Sequence, residues 1–81
     1  MNLSIISPTG KLFNGEVHSV MLPGTLGPFQ VLPNHAPVVS SLTAGKITYT
    51  VGATSSSVSV SSGFTSIADN QVMVVCEPIE W

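Results

Sequence analysis

The stretch Met21-Leu22-Pro23-Gly24-Thr25-Leu26-Gly27-Pro28-Phe29-Gln30-Val31-Leu32-Pro33-Asn34-His35-Ala36-Pro37 sets four prolines and two glycines among apolar residues. Proline fixes φ and removes a backbone donor, and glycine opens φ > 0, so no helix can run through this segment. It reads as a set of sharp turns around one short strand, Phe29 to Leu32. Turns this constrained either steer a β-chain round a corner or present something to a partner, and composition alone leaves both open.

On the N-terminal side, Leu3 and Ile5 alternate with Ser4, predicting a short strand that Pro8-Thr9-Gly10 turns into a hairpin. Lys11 to Leu22 reads as one long strand whose alternation slips near Asn14-Gly15. A glycine at the slip predicts a bulge or bend that lets the strand serve two sheets. On the C-terminal side, Val38, Ser40 and Leu42 share one face, and Leu42-Thr43-Ala44-Gly45 turns the chain. Ile47, Tyr49 and Val51 alternate cleanly with Thr48 and Thr50, the pattern of a half-buried antiparallel strand. Gly52 to Ser57 is polar and reads as a loop. Val58 and Val60 alternate with serines, Gly63 marks a turn or bulge, and Phe64 to Ala68 continues in β character. Asp69-Asn70 is a tight-turn dipeptide, Val72 to Cys76 is apolar on both faces like a central strand, and Pro78 ends it. Short strands between turn signals, with no window of helical periodicity, predict an all-β antiparallel sandwich or barrel in one domain, residues 1–81.

Composition narrows the function. Only six of 81 residues are Asp, Glu, Lys or Arg, against about one quarter in an ordinary domain. Twelve serines and seven threonines supply the polarity instead, which leaves few charges to discourage edge-to-edge pairing and suits a surface partly covered by a partner. A net charge of −2, with Lys11 and Lys46 the only basic side chains, offers no patch for a phosphate backbone, so nucleic acid is not expected as a ligand. Neither a signal peptide nor a membrane span is expected, because no basic N-terminal region and no run of about eighteen apolar residues is present. A single cysteine, Cys76, cannot form an internal disulfide and reads as a core residue.

The residues that could carry catalysis do not assemble into a pattern. His18 and His35 belong to no spaced His, Cys or carboxylate set, so no metal site is expected. Glu16, Asp69, Glu77 and Glu80 are scattered rather than paired for acid and base work. The serines lie in strand patterns without a strand-turn-helix elbow. Gly24-Thr25-Leu26-Gly27 lacks the Gly-Lys-Ser/Thr ending of a phosphate loop, and Gly45-Lys46 runs on into Ile47. No catalytic residue, cofactor or small-molecule substrate is therefore expected. His35, isolated in a proline-rich turn, reads on general grounds as a structural hydrogen-bonding residue.

Pro23-Gly24, Gly27, Phe29 and then Val31-Leu32-Pro33-Asn34-His35-Ala36-Pro37 resemble the signature loop of the epsilon subunit of F-type ATP synthases, called delta in mitochondria. The resemblance extends to Leu3-Ser4-Ile5-Ile6-Ser7-Pro8, Leu12-Phe13-Asn14-Gly15-Glu16-Val17, Leu42 before Ala44-Gly45, Ser61-Ser62-Gly63-Phe64 and Asp69-Asn70-Gln71-Val72, in the family's order. It implies a flattened β-sandwich of two sheets. It also implies a non-catalytic central-stalk subunit that links gamma to the membrane c-ring and transmits torque in a proton- or sodium-translocating synthase. The implied place is peripheral, on the cytoplasmic face of the inner (plasma) membrane. Carried over position by position, the contact with gamma or the c-ring falls on Thr25, Leu26, Gly27, Pro28 and Phe29, and on Asn34, His35, Ala36 and Pro37. Pro28 stands where the family often has a carboxylate, and Gln30 where it often has glycine. A salt bridge from that carboxylate is thus not expected. The family's C-terminal two-helix hairpin is expected to be absent, since the resemblance reaches Glu80-Trp81 without it. The competing reading is a small β-sandwich module that binds a peptide or glycan through the same loop, against which stands the scarcity of aromatic residues, 6% of the chain.

Overall fold

A computed structural model describes residues 1–79. Glu80 and Trp81, where the hairpin was expected to be missing, lie outside the described residues. Eight strands form: β1 Asn2–Ser7, β2 Gly10–Glu16, β3 Ser19–Leu22, β4 Phe29–Val31, β5 Val38–Leu42, β6 Gly45–Val51, β7 Thr54–Ala68 and β8 Gln71–Pro78. No helix occurs among the described residues.

The strands make one continuous hydrogen-bonded sheet, ordered β2-β1-β8-β7-β6-β3-β4, with β5 also on β7. That sheet is folded over. β7 has 15 residues, which at about 3.3 Å each would reach roughly 50 Å if straight, whereas the longest dimension of the molecule is 32 Å. The bend falls where the β7–β8 register shifts between Val60 and Ser62. Before it, β7 pairs with β6 from Thr54 to Val60; after it, with β5 from Gly63 to Ile67. One leaf is therefore β2-β1-β8-β7-β5 and the other β7-β6-β3-β4. Phe13 on β2 stacks on Tyr49 of β6, with ring centroids 4.3 Å apart, although these strands share no hydrogen bonds. The leaves face each other as in a sandwich.

Between them lies one apolar cluster: Leu3 and Ile5 of β1, Val20 and Leu22 of β3, Ile47 of β6, Ile67 of β7, and Val72 and Val74 of β8, with Val17, Val31, Leu42, Val60 and Cys76 completing it. Buried Thr65 gives its hydroxyl to Met73 O at 3.0 Å, and no buried side-chain polar atom among the described residues lacks a partner.

Several expectations need correction. The expected long strand Lys11–Leu22 is two strands, because consecutive amides are claimed by different leaves: Val17 N donates to Met1 O at 2.9 Å and His18 N to Thr50 O at 2.8 Å. The chain changes leaf there, not at Gly15, which stays paired with Leu3 beneath the Phe13 ring. The bulge sits at Leu12, the unpaired residue between Ile5↔Phe13 and Ile6↔Lys11. The expected loop Gly52–Ser57 shrinks to a Gly52-Ala53 turn, since Thr54 to Ser57 pair with Val51 to Thr48, with the Thr50 and Ser55 hydroxyls 3.5 Å apart beside the ladder. Gly63 is a strand residue; a Cβ there would come within 2.8 Å of Val75 O, so its role is close strand approach. The sandwich is not wholly antiparallel, as β1 and β8 run parallel from Asn2↔Gln71 to Ile6↔Val75. Asp69 and Asn70, with φ of 53° and 59°, form the expected tight turn, of type I′.

Candidate partner-contact site

The first turn follows β3. Gly27 N donates to Gly24 O at 3.0 Å, which closes Gly24-Thr25-Leu26-Gly27, and Gly27 has a φ of 132° that favours glycine. Gly24 is glycine for space: an added Cβ would lie 2.7 Å from Gly27 O and 2.9 Å from a Phe29 ring carbon. Thr25 anchors the turn to β5, its N–H donating to Ser41 O at 3.1 Å and its hydroxyl 2.8 Å from that of Ser41. This leaves Leu26 at the tip, 104% exposed.

The second turn is Leu32-Pro33-Asn34-His35. His35 N donates to Leu32 O at 3.2 Å, Pro33 supplies the fixed φ at the second position, and Asn34 takes φ 65° at the third. This is the type II arrangement. The His35 ring is half-buried, and its Nδ1 lies 2.7 Å from Ala36 O. A carbonyl only accepts, so Nδ1 is the donor in this contact.

Two grooves meet at His35. One, of about 420 Å³, is lined by Leu26, Gly27, Pro28 and Phe29 on one side and Val38, Val39 and Ser40 on the other. The second, of about 460 Å³, lies between Asn34, His35, Ala36, Pro37 and the Asp69-Asn70 turn. The structure thus brings together eight of the nine expected contact residues at one end of the sandwich. The ninth, Thr25, lines neither groove and is turned to Ser41. Among the described residues, Asp69 is the sole carboxylate in either lining, and the first groove has no formally charged side chain.

Sequence reasoning missed two contributors. The Asp69-Asn70 turn, read only as a turn, borders the second groove. The outer face of the β5-β7-β8-β1 leaf carries an apolar patch as well, with Ser66 within it: Phe64 is 49% exposed and pairs with Val75, 51% exposed, with Met73 and Ile6 alongside. The central-strand pattern of Val72–Cys76 was its signal. Val39 faces the same way as Phe64 and lines the first groove, so it joins this face to the loop end.

Among the described residues, no three His, Cys, Asp or Glu side chains come together to hold a metal ion, and no helix is long and apolar enough to cross a membrane. Cys76 is buried; burial first, and then the neighbouring Glu77 carboxylate, push its thiol above the usual range.

The profile of the family described as ATP synthase, Delta/Epsilon chain, beta-sandwich domain matches residues 1–81. The chain belongs to this family. Among curated relatives of this epsilon-type sandwich, the ATP synthase epsilon chain of Desulfitobacterium hafniense is 38% identical over 78 residues, covering 96% of this chain and 59% of that one. The epsilon chain of Leptospira borgpetersenii is 40% identical, with 95% and 61% covered. That of Caulobacter vibrioides is 36% identical, with 95% and 90% covered. The chain therefore spans about three fifths of the first two relatives and nine tenths of the third. A chain of the Euglena gracilis mitochondrial ATP synthase OSCP/F1/c-ring structure superposes with a TM-score of 0.88 at 21% identity, covering 95% of this chain and 51% of that chain. One from the Tetrahymena thermophila mitochondrial ATP synthase central stalk and c-ring gives 0.80 at 13%, covering 95% and 63%. At these identities the two structures speak to the fold of the epsilon-type sandwich.

Proposed function

We propose that this chain, as one sandwich domain, is a non-catalytic central-stalk subunit of a rotary F-type ATP synthase that joins the gamma subunit to the c-ring and transmits torque between them. The observation that carries the proposal is the pairing, on one sandwich, of a loop end built from two rigid turns with an adjoining apolar sheet face. A connecting subunit needs two contact regions in fixed relation, and a buried core shared by both leaves supplies the rigidity. In this reading the turns at Thr25–Phe29 and Asn34–Pro37 face the c-ring or the foot of gamma, and the Phe64, Met73 and Val75 face packs on gamma. Proton or sodium movement and nucleotide chemistry would then belong to other subunits. The domain would sit peripherally, on the cytoplasmic face of the inner membrane.

The first groove offers apolar side chains, backbone groups and His35 in place of charges, so its contact should be weakly dependent on salt. The family relationship favours this function over a peptide- or glycan-binding module. Phe13 and Tyr49, moreover, are stacked between the leaves and not displayed as a sugar platform. Co-expression with gamma of the same organism tests the proposal. A one-to-one complex that survives washing at moderate salt is expected, and a folded chain that never co-purifies with gamma overturns it.

A further inference from the structure

Among the described residues, the three non-glycine positions with positive φ, Asn34, Asp69 and Asn70, occupy two turns that face each other across the second groove, 36 positions apart in sequence at the Asn34–Asn70 contact. Such conformations persist only where the surroundings hold them. Here each turn holds the other: Asn34 N–H donates to Asn70 Oδ1, and Asn70 Nδ2 donates to Asn34 Oδ1 at 2.9 Å. The backbone of Asn70 is engaged too, its carbonyl accepting from Asn2 N at 2.9 Å at the start of β1. Among the described residues, no other hydrogen bond ties residues 33–37 to another element, since His35 bonds only within the loop and Pro33 and Pro37 have no N–H to give.

We propose that Asn70 is a positioning residue for the docking loop: its amide, borrowed from the β7–β8 hairpin, fixes the Pro33–Pro37 turn, and with it His35, in the orientation a partner meets. This rests on the function proposed above. The residue type fits the task, because asparagine combines tolerance of the left-handed region with both a side-chain donor and an acceptor. Glycine keeps the first property and lacks the second, so Asn70→Gly should preserve the type I′ turn while removing both cross-turn bonds. Asn34→Gly keeps its backbone N–H bond to Asn70 and loses only the other. Asn34→Asp retains both, because a carboxylate oxygen can accept from Asn70 Nδ2.

The test uses the full chain, with gamma and c-ring of the same organism as the binding probe and amide hydrogen exchange of Asn34 as a second readout. Expected for Asn70→Gly are Asn34 exchange accelerated at least about tenfold and binding weakened about tenfold, the scale of two lost hydrogen bonds. Asn34→Gly should fall between, the double glycine variant should be no worse than Asn70→Gly, and Asn34→Asp should bind like the parent. Unchanged Asn34 exchange in Asn70→Gly overturns the positioning role. Accelerated exchange with binding within about twofold of the parent overturns the link to docking. If the parent chain itself fails to bind, it is the proposed function that falls, and exchange still decides whether Asn70 holds the loop.

Discussion

Consider replacing Gly24 by alanine. Its φ is not in the left-handed region, so the cost comes from space alone: the new methyl meets Gly27 O at 2.7 Å and two Phe29 ring carbons at 2.9 and 3.0 Å. Contacts below 3.0 Å force movement, and overpacking of this kind costs about 1–3 kcal/mol. For a domain of this size each kcal/mol lowers Tm by about 4–8 °C, so a fall on the order of 5–20 °C is expected by calorimetry or circular dichroism. The ring is one obstacle and the carbonyl the other, which makes the double variant informative. Phe29→Leu in the Gly24→Ala background should recover part of the loss, with a coupling energy of at least about 0.5 kcal/mol. Recovery should be partial because Gly27 O stays in place. A Tm for Gly24→Ala within about 2 °C of the parent would refute the steric account, and strict additivity with Phe29→Leu would remove the ring from it.

Ile47, wholly buried on β6, should lose about 2–5 kcal/mol on truncation to alanine, measured by urea unfolding. Leu26→Ser should leave unfolding within about 0.5 kcal/mol of the parent, because the side chain touches only solvent, while weakening capture of the gamma and c-ring probe. That capture should also change little as salt is raised. Cys76 should resist alkylation at pH 8 in the folded chain and react readily in urea. Its raised folded pKa means the unfolded chain loses the thiol proton first, so stability should be full below about pH 8.5 and decline as pH rises beyond it, absent in a Cys76→Ala variant.

What was legible in the sequence is what local chemistry dictates. Pro23, Gly24, Gly27 and Pro33 specify their turns within four residues, whereas the alternation of Ile47, Tyr49 and Val51 reports the buried face only in part: Ile47 is buried, Tyr49 half-buried and Val51 exposed at the strand end. What was not legible depends on partners distant along the chain. Thr54 to Ser57 has no apolar alternation and becomes strand because β6 pairs with it. The parallel pairing of β1 with β8 joins residues about seventy positions apart, beyond any local signal. The same holds at the candidate site: both turns could be read, but the Asn34–Asn70 contact that joins the second to the β7–β8 hairpin could not. Leu12 shows a smaller failure, where the slip in alternation was visible but the glycine nearby drew the bulge three residues too far along.

β7 reaches from the β6–β7 tip to the edge of the second groove, gripped by β6 over its first half, by β5 over its second, and by β8 from Val60 onward. A push delivered at the groove end therefore enters a single covalent spar that belongs to both leaves. To slide that spar lengthwise, several rows of hydrogen bonds must break at once in shear, whereas peeling an edge strand breaks them one after another. Resistance to that sliding is thus a property of strand connectivity, carried round the bend between Val60 and Ser62 by the pairing on either side of it.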